Sequence, residues 1–309
     1  MQPFRFAVQM SKTDSAASWR NVARKIEDLG YSTLFIPDHF EDQFGPLVAL
    51  TVASEATSTL RVGSLVFDND YRHPLVLAKE IATLDLMSEG RVEFGLGAGW
   101  MSVDYEQSGI PEDRPGVRIS RMAEGLAVMK SLWADERTDF KGEFYQLNGA
   151  KGTPAPHRRP HPLILIGGGG KRVLGIAARE ADVVGVNPSL AAGHIGREVI
   201  ATTTAEYYHQ RVDWIREAAG ERFDQIELQV LTFVVQIVPN RQEAVEQLAG
   251  MMSLTPEEVA GSPLTMIGTT DEIIESLRER REAFGFSYIV VHEAEMEAFA
   301  PVVATLAGT

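Results

Sequence analysis

Short apolar runs alternate with longer amphipathic stretches along most of the chain. Phe4 to Met10 is the first run. Residues 15–29 follow, with Trp19, Val22, Ala23, Ile26 and Leu29 spaced as one face of a helix and Gly30 as its stop. Thr33 to Pro37 is the second run, and a helix opened by Pro46 carries the chain to about Ser58. Leu60 to Phe67 is the third. Pro74 opens the next helix, with Leu77, Ala78, Ile81, Leu84 and Met87 on one face, and Arg91 to Leu96 is the fourth run.

The pattern then lengthens. Pro115 to about Trp133 reads as a long helix, and Thr138 to Leu147 alternates aromatics around Lys141-Gly142-Glu143 as a surface hairpin does. Leu163 to Ile166 is the fifth strand, followed by four glycines and a helix to Glu180. Asp182 to Val186 is the sixth. Residues 199–219 are helical, Ile226 to Val238 holds the seventh strand, and 241–251 and 270–284 are helical. Ser287 to His292 is the eighth strand, and a last helix ends the sequence.

Eight strands alternating with helices, each strand apolar on both faces, predict a parallel sheet closed into a (β/α)8 barrel, with residues 1–309 as one domain. Segments 100–114, 138–162 and 187–198 are polar or rich in Pro and Gly. In a barrel, such insertions gather at the C-terminal face and build the active site.

Composition narrows the classes. Apolar residues make up 44% of the 309, enough for a large core, and the formal net charge of −14 argues against nucleic acid as a partner. The chain has no cysteine, which removes disulfides, thiol catalysis and Cys-ligated metal centres. Met1-Gln-Pro-Phe-Arg-Phe enters a strand pattern without a secretory signature, and no apolar run reaches the ~18 residues of a membrane span. The expectation is an acidic cytoplasmic protein that acts on small molecules.

Gly95, Gly97 and Gly99 fall at every second position and end in Trp100. Glycine at alternate positions strips one face of a strand, so another strand, a helix or a ligand must come close there. The order G-x-G-x-G lacks the spacing of a dinucleotide fingerprint. Asp38-His39 directly follows the second strand, where barrel enzymes keep catalytic groups, and a histidine there can exchange a proton with a substrate. A structural pair with Asp38 capping local amides is the other reading of this dipeptide.

Gly167 to Gly170 lies between a strand and a helix, with Lys171 and Arg172 next. Free amides at a helix start bind anions. The turn reads as exposed, so a side chain at Gly169 is expected to weaken binding and spare the fold. In Tyr71-Arg72-His73-Pro74, Arg72 faces a ligand or pairs with an acid. His157 and His161 are four apart, but Pro156, Pro160 and Pro162 forbid the helix that would align them, so no metal site is expected. The serine-hydrolase elbow G-x-S-x-G is absent from the sequence.

Taken together, these pieces resemble the luciferase-like monooxygenase superfamily, and within it the group that uses the deazaflavin coenzyme F420. The resemblance runs over essentially the whole chain. It is carried by Leu34-Phe-Ile-Pro-Asp-His39, Tyr71-Arg-His-Pro74, Leu84-Asp-Leu-Met-Ser-Glu-Gly-Arg91 with the glycine run, Gly168-Gly-Gly170, and Ile267-Gly-Thr-Thr-Asp-Glu272.

The resemblance implies an insertion-bearing, homodimeric barrel with a flavin or deazaflavin at its C-terminal mouth. It places the coenzyme phosphate at Gly168, Gly169 and Gly170, a cis peptide at Leu65–Val66 behind the ring, and catalysis at His39; Asp38, beside His39, is expected to bind the coenzyme by helping to hold the loop that positions the ring. It implies hydride transfer between F420 and a small organic substrate with a C=O, C=N or C=C bond. An FMN-dependent monooxygenase and a deazaflavin-binding protein without turnover are the alternatives. The related sugar-phosphate dehydrogenases carry a glutamate directly after the glycine run. This chain has Trp100 there, so their glutamate chemistry does not transfer, and Trp100 is expected to wall the substrate pocket.

Overall fold

The computed structural model describes residues 2–309. Eight parallel strands form the barrel: β1 (Arg5–Gln9), β2 (Thr33–Ile36), β3 (Arg61–Ser64), β4 (Val92–Gly97), β5 (Leu163–Gly168), β6 (Val183–Val186), β7 (Glu227–Leu231) and β8 (Phe286–His292). Their order is β3-β2-β1-β8-β7-β6-β5-β4, and a β3–β4 pairing, Val62 beside Val92, closes the ring. Helices cover the outside. No helix among the described residues is long and apolar enough to cross a membrane.

The strands are apolar on both faces because both are buried. Ala7, Phe35, Leu165, Val183, Tyr288 and Val290 form a core of their own inside the barrel. Their neighbours along the strands, such as Val8, Leu34 and Ile166, belong to the larger core under the helices. Charge enters the interior at the N-terminal end. There the fully buried Glu93 takes Arg5 at 2.6 Å, the Tyr288 hydroxyl at 3.0 Å and the Thr33 hydroxyl at 3.2 Å. Arg5 also pairs with Glu227 at 2.6 Å, so strands β1, β2, β4, β7 and β8 are joined by one polar network.

The glycine run is explained by β3. A Cβ on Gly95 would stand 2.0 Å from the Ser64 carbonyl oxygen, and one on Gly97 would stand 2.6 Å from Val66 Cγ2. Across the seam, a Cβ on Gly63 would meet the Glu93 carbonyl oxygen at 2.2 Å. The close neighbour is therefore a strand and not a ligand. Past Ser64 the chain makes a cis peptide at Leu65–Val66, as the resemblance implies, and resumes pairing with β4 at Phe67–Asp68.

Three segments depart from the sequence reading. Ile226 to Val238 holds two strands: after β7 the chain bonds from the Phe233 amide to Leu264, and Val234–Ile237 pairs outside the barrel with Thr265–Gly268. The 199–219 helix is broken into Arg197–Ile200 and Ala205–Ala219, with Thr202 and Thr203 turning between them. Segment 100–114, read as an insertion with no helix assigned to it, contains the helix Ser102–Ser108. The Ser102 amide bonds to Gly193, so the insertions after β4 and β6 meet above the barrel.

The β3–β4 contact predicts opposite outcomes for two glycine substitutions. Gly95→Ala drives a methyl into backbone and should lose at least ~2–3 kcal/mol of stability. Gly250→Ala, on an exposed helical position with nothing within 4 Å, should gain ~0.5–1 kcal/mol. Urea midpoints of the two variants check this; equal midpoints would refute the seam as described.

Candidate functional site

The C-terminal ends of the strands carry most of the residues singled out above. Asp38 follows β2 and is 5% exposed. Its carboxylate takes both Arg72 guanidinium nitrogens, at 2.5 and 3.0 Å, and the Asp68 amide at 3.1 Å. Arg72 thus pairs with an acid, the second of its two readings. Asp38 ties the end of β2 to the resumed third strand, a bond that shapes the wall of the mouth from behind.

His39 turns the other way. Its Nδ1 lies 2.7 Å from Oδ2 of Asp104, a fully buried residue on the Ser102–Ser108 helix. The same carboxylate accepts the Tyr71 hydroxyl on Oδ2 and the Phe40 amide on Oδ1, both at 3.0 Å. Trp100 meets the His39 ring edge-on, with centroids 5.6 Å apart at 88°. His39 and Trp100 therefore share one wall of the mouth. Asp104 was missed in the sequence, where its only signal is an acid four residues after Trp100 in a segment without a clear period.

Leu65 and Val66 cap the interior core, packed against its buried residues. The Leu65 carbonyl accepts Gln9 Nε2 at 3.2 Å. Val66 fills the groove left by Gly95 and Gly97. Together they make an apolar floor below the His39–Trp100 wall.

The glycine turn closes the opposite side. The Asn187 amide bonds to the Gly168 carbonyl at 2.9 Å and Arg211 Nε to the Gly169 carbonyl at 3.0 Å. Arg211, deeply buried on the Ala205–Ala219 helix, is a second residue the sequence did not single out. A Cβ on Gly169 would stand 2.2 Å from the Pro188 carbonyl oxygen. The expectation that Gly169 tolerates a side chain is thus overturned: backbone, not solvent, lies against it. Gly170 is the exposed position, with nothing within 4 Å, and it caps the Lys171–Glu180 helix. Lys171 and Arg172 do not line this turn with charge. Lys171 pairs with Glu217, and Arg172 bonds to the Gly116 carbonyl and the Ser120 hydroxyl.

Four aspartates stand close together behind the mouth. Asp38 is paired with Arg72, Asp70 with Arg121 at 2.9 Å, and Asp104 has the three donors above. Asp68 has no cation among the described residues. Burial raises it to about 7, with the Asp70 and Asp38 charges adding to the shift while the Asp70 amide and the Tyr105 hydroxyl oppose it. The phenols of Tyr71 and Tyr105 are also pushed up, first by burial and then by these carboxylates, so both stay protonated donors.

Residues 1–252 match the family model for luciferase-like monooxygenases, and the chain belongs to that family. An F420-dependent glucose-6-phosphate dehydrogenase of Amycolatopsis mediterranei is 30% identical over 168 residues, which is 52% of this chain and 50% of its own length. An FMNH2-dependent dimethylsulfone monooxygenase of Pseudomonas putida is 25% identical over 281 residues, 84% of this chain and 73% of its own. The chain spans about half to two thirds of the length of several of the curated relatives it matches. The solved structure of an F420-dependent secondary alcohol dehydrogenase in complex with an F420–acetone adduct shares the fold, with a TM-score of 0.78 at 18% identity over 99% of both chains.

The isolated carboxyl of Asp68 makes stability depend on pH. Its ordinary value is 3.8 and its folded value about 7. Between the two, the folded chain holds a proton that the unfolded chain has released. Stability therefore falls as pH rises through that window, by on the order of 4 kcal/mol once it is crossed. Asp68→Asn mimics the protonated form, since its amide oxygen still accepts the Asp70 N–H. The variant should match the wild type near pH 4 and melt higher near pH 8, measured by scanning fluorimetry. A variant that melts below the wild type throughout contradicts this.

Proposed function

We propose that this member of the luciferase-like monooxygenase family is an oxidoreductase that moves a hydride between coenzyme F420 and a small organic substrate, with His39 as the proton donor or acceptor. The observation that carries the reading is the His39–Asp104 pair, with the imidazole at the mouth beside Trp100 and the carboxylate buried behind it. Relatives named as F420-dependent support the choice of coenzyme.

The residues present fit a bound deazaflavin. Gly168, Gly169 and Gly170 would hold its phosphate through helix-start amides. Leu65 and Val66 would lie under the ring. When bound, the deazaflavin supplies a two-electron hydride carrier. The chain does the rest: Trp100 confines the substrate, the apolar floor excludes water, and His39 exchanges the proton that must accompany hydride transfer at a C=O or C=N bond. Trp100 in place of the glutamate disfavours a sugar phosphate as substrate.

A second reading, an FMN-dependent monooxygenase, is favoured by the longer match to the dimethylsulfone enzyme. Titration with F420 and with FMN separates the two. Turnover with any acceptor rules out a mere coenzyme carrier. His39→Asn should keep F420 affinity and lose about a hundredfold or more in turnover. Gly170→Val should fold normally, because its side chain meets nothing within 4 Å, and lose F420 affinity, because the added bulk stands in the turn that would hold the phosphate. Wild-type turnover in His39→Asn would end the assignment of His39, and wild-type affinity in Gly170→Val that of the glycine turn.

The same reading includes a homodimer. Its surface is assigned to the helices Pro46–Ala56 and Pro74–Met87, which expose Val48, Val76, Leu86 and Met87 and carry few charges. Sedimentation should give twice the chain mass for the wild type and the single-chain mass for Leu86→Glu/Met87→Glu. A monomeric wild type refutes it.

A further inference from the structure

We infer that Asp104 is a positioning residue that selects the tautomer of His39, leaving Nε2 as the working nitrogen at the mouth. The inference deepens the proposed function and rests on His39 handling a proton.

The argument starts from Asp104 itself. Two oxygens receive three groups: Oδ1 takes the Phe40 amide at 3.0 Å, and Oδ2 takes the Tyr71 hydroxyl at 3.0 Å and His39 Nδ1 at 2.7 Å. A backbone amide can only donate, and the Tyr71 phenol is held protonated, so it donates as well. A carboxylate offers only acceptors, and the ring must therefore present Nδ1–H. The imidazole proton is thereby committed to the protein side. Asp104 is fully buried whereas the His39 side chain is 19% exposed, so the accessible edge is the far one, which carries Nε2.

The consequence is chemical. In the neutral ring Nε2 has a free lone pair and accepts a proton from a substrate hydroxyl while the hydride leaves the same carbon for oxidised deazaflavin. The O–H and C–H bonds break, the C=O bond forms, the substrate loses two electrons and the coenzyme gains them. In reverse, Nε2–H returns the proton to oxygen. The buried carboxylate stabilises the imidazolium in both directions. Phe40 and Tyr71, whose rings lie 4.6 Å apart, fix the carboxylate through one donor each.

Asp104→Asn tests this with a defined expectation. Its amide oxygen must stay on the Phe40 N–H, since two donors cannot face one another, and this turns the NH2 group toward His39. Nδ1 then becomes the acceptor and the ring tautomer reverses, putting the proton on Nε2. Nitrogen-15 NMR of the ring, at a pH where it is neutral and with His39→Asn identifying the signals among the seven histidines, reads the tautomer without turnover. The expected result is Nδ1–H in the wild type and in Tyr71→Phe, and Nε2–H in Asp104→Asn. Turnover by Asp104→Asn should fall about a hundredfold or more at unchanged F420 affinity. The same tautomer in wild type and Asp104→Asn overturns the inference. So does a reversed tautomer with full turnover, provided His39→Asn is impaired. If His39→Asn itself turns over normally, the reading of His39 as the proton-handling group fails, and the role assigned to Asp104 fails with it.

Discussion

The barrel closes across a seam that no side chain can occupy. Gly63 and Gly95 bring the backbones of β3 and β4 so close that a methyl on either would overlap a carbonyl oxygen of the other strand. Val66 then drops into the groove above Gly95 and Gly97, and the third strand resumes at Phe67 one step further along the mouth. Everything functional on that side follows from this placement. Asp68 reaches the Tyr105 hydroxyl, and its amide reaches Asp38. Gly99 turns with φ of 73° over Tyr105 and Asp68, in the left-handed region where glycine is at ease, and delivers Trp100 to the wall.

Three of the four carboxylates behind the mouth are answered locally by charge or by hydrogen-bond donors. Arg72 and Arg121 answer Asp38 and Asp70, and Asp104 is answered by two neutral donors and by His39. This arrangement differs from the network at the other end of the barrel, where Glu93, Glu227, Arg5 and Tyr288 join strands far apart in sequence. The lower network holds strands together. The upper one sets His39 against a buried carboxylate at the mouth and leaves Asp68 behind it without a cation among the described residues.

How far the sequence could be read depended on the range of each signal. The eight barrel strands and most helices were legible because burial on both faces writes long apolar runs. The glycine run was legible as a demand for close approach, and only the fold could say that a strand answers it. Gly169 looked like an open turn because sequence carries no trace of Pro188 folding back over it. The split after Leu231 was hidden for a similar reason: Val234 to Ile237 is as apolar as a barrel strand and differs only in its partner, Thr265 to Gly268.

Asp104 is the instructive case. It lies 65 residues from His39 in a segment of mixed polarity, and no local pattern links the two. The barrel places every β-strand end on one rim, so an acid in the insertion after β4 can stand behind a histidine that follows β2. The rim makes such pairs possible, and burial decides which acid serves. Asp38 is adjacent in sequence but is drawn off by Arg72, whereas Asp104 is fixed from behind by Phe40 and Tyr71 and still accepts the imidazole on Oδ2. Proton handling at the mouth therefore depends on a side chain supplied by an insertion, and the barrel strands contribute the frame that lets it arrive.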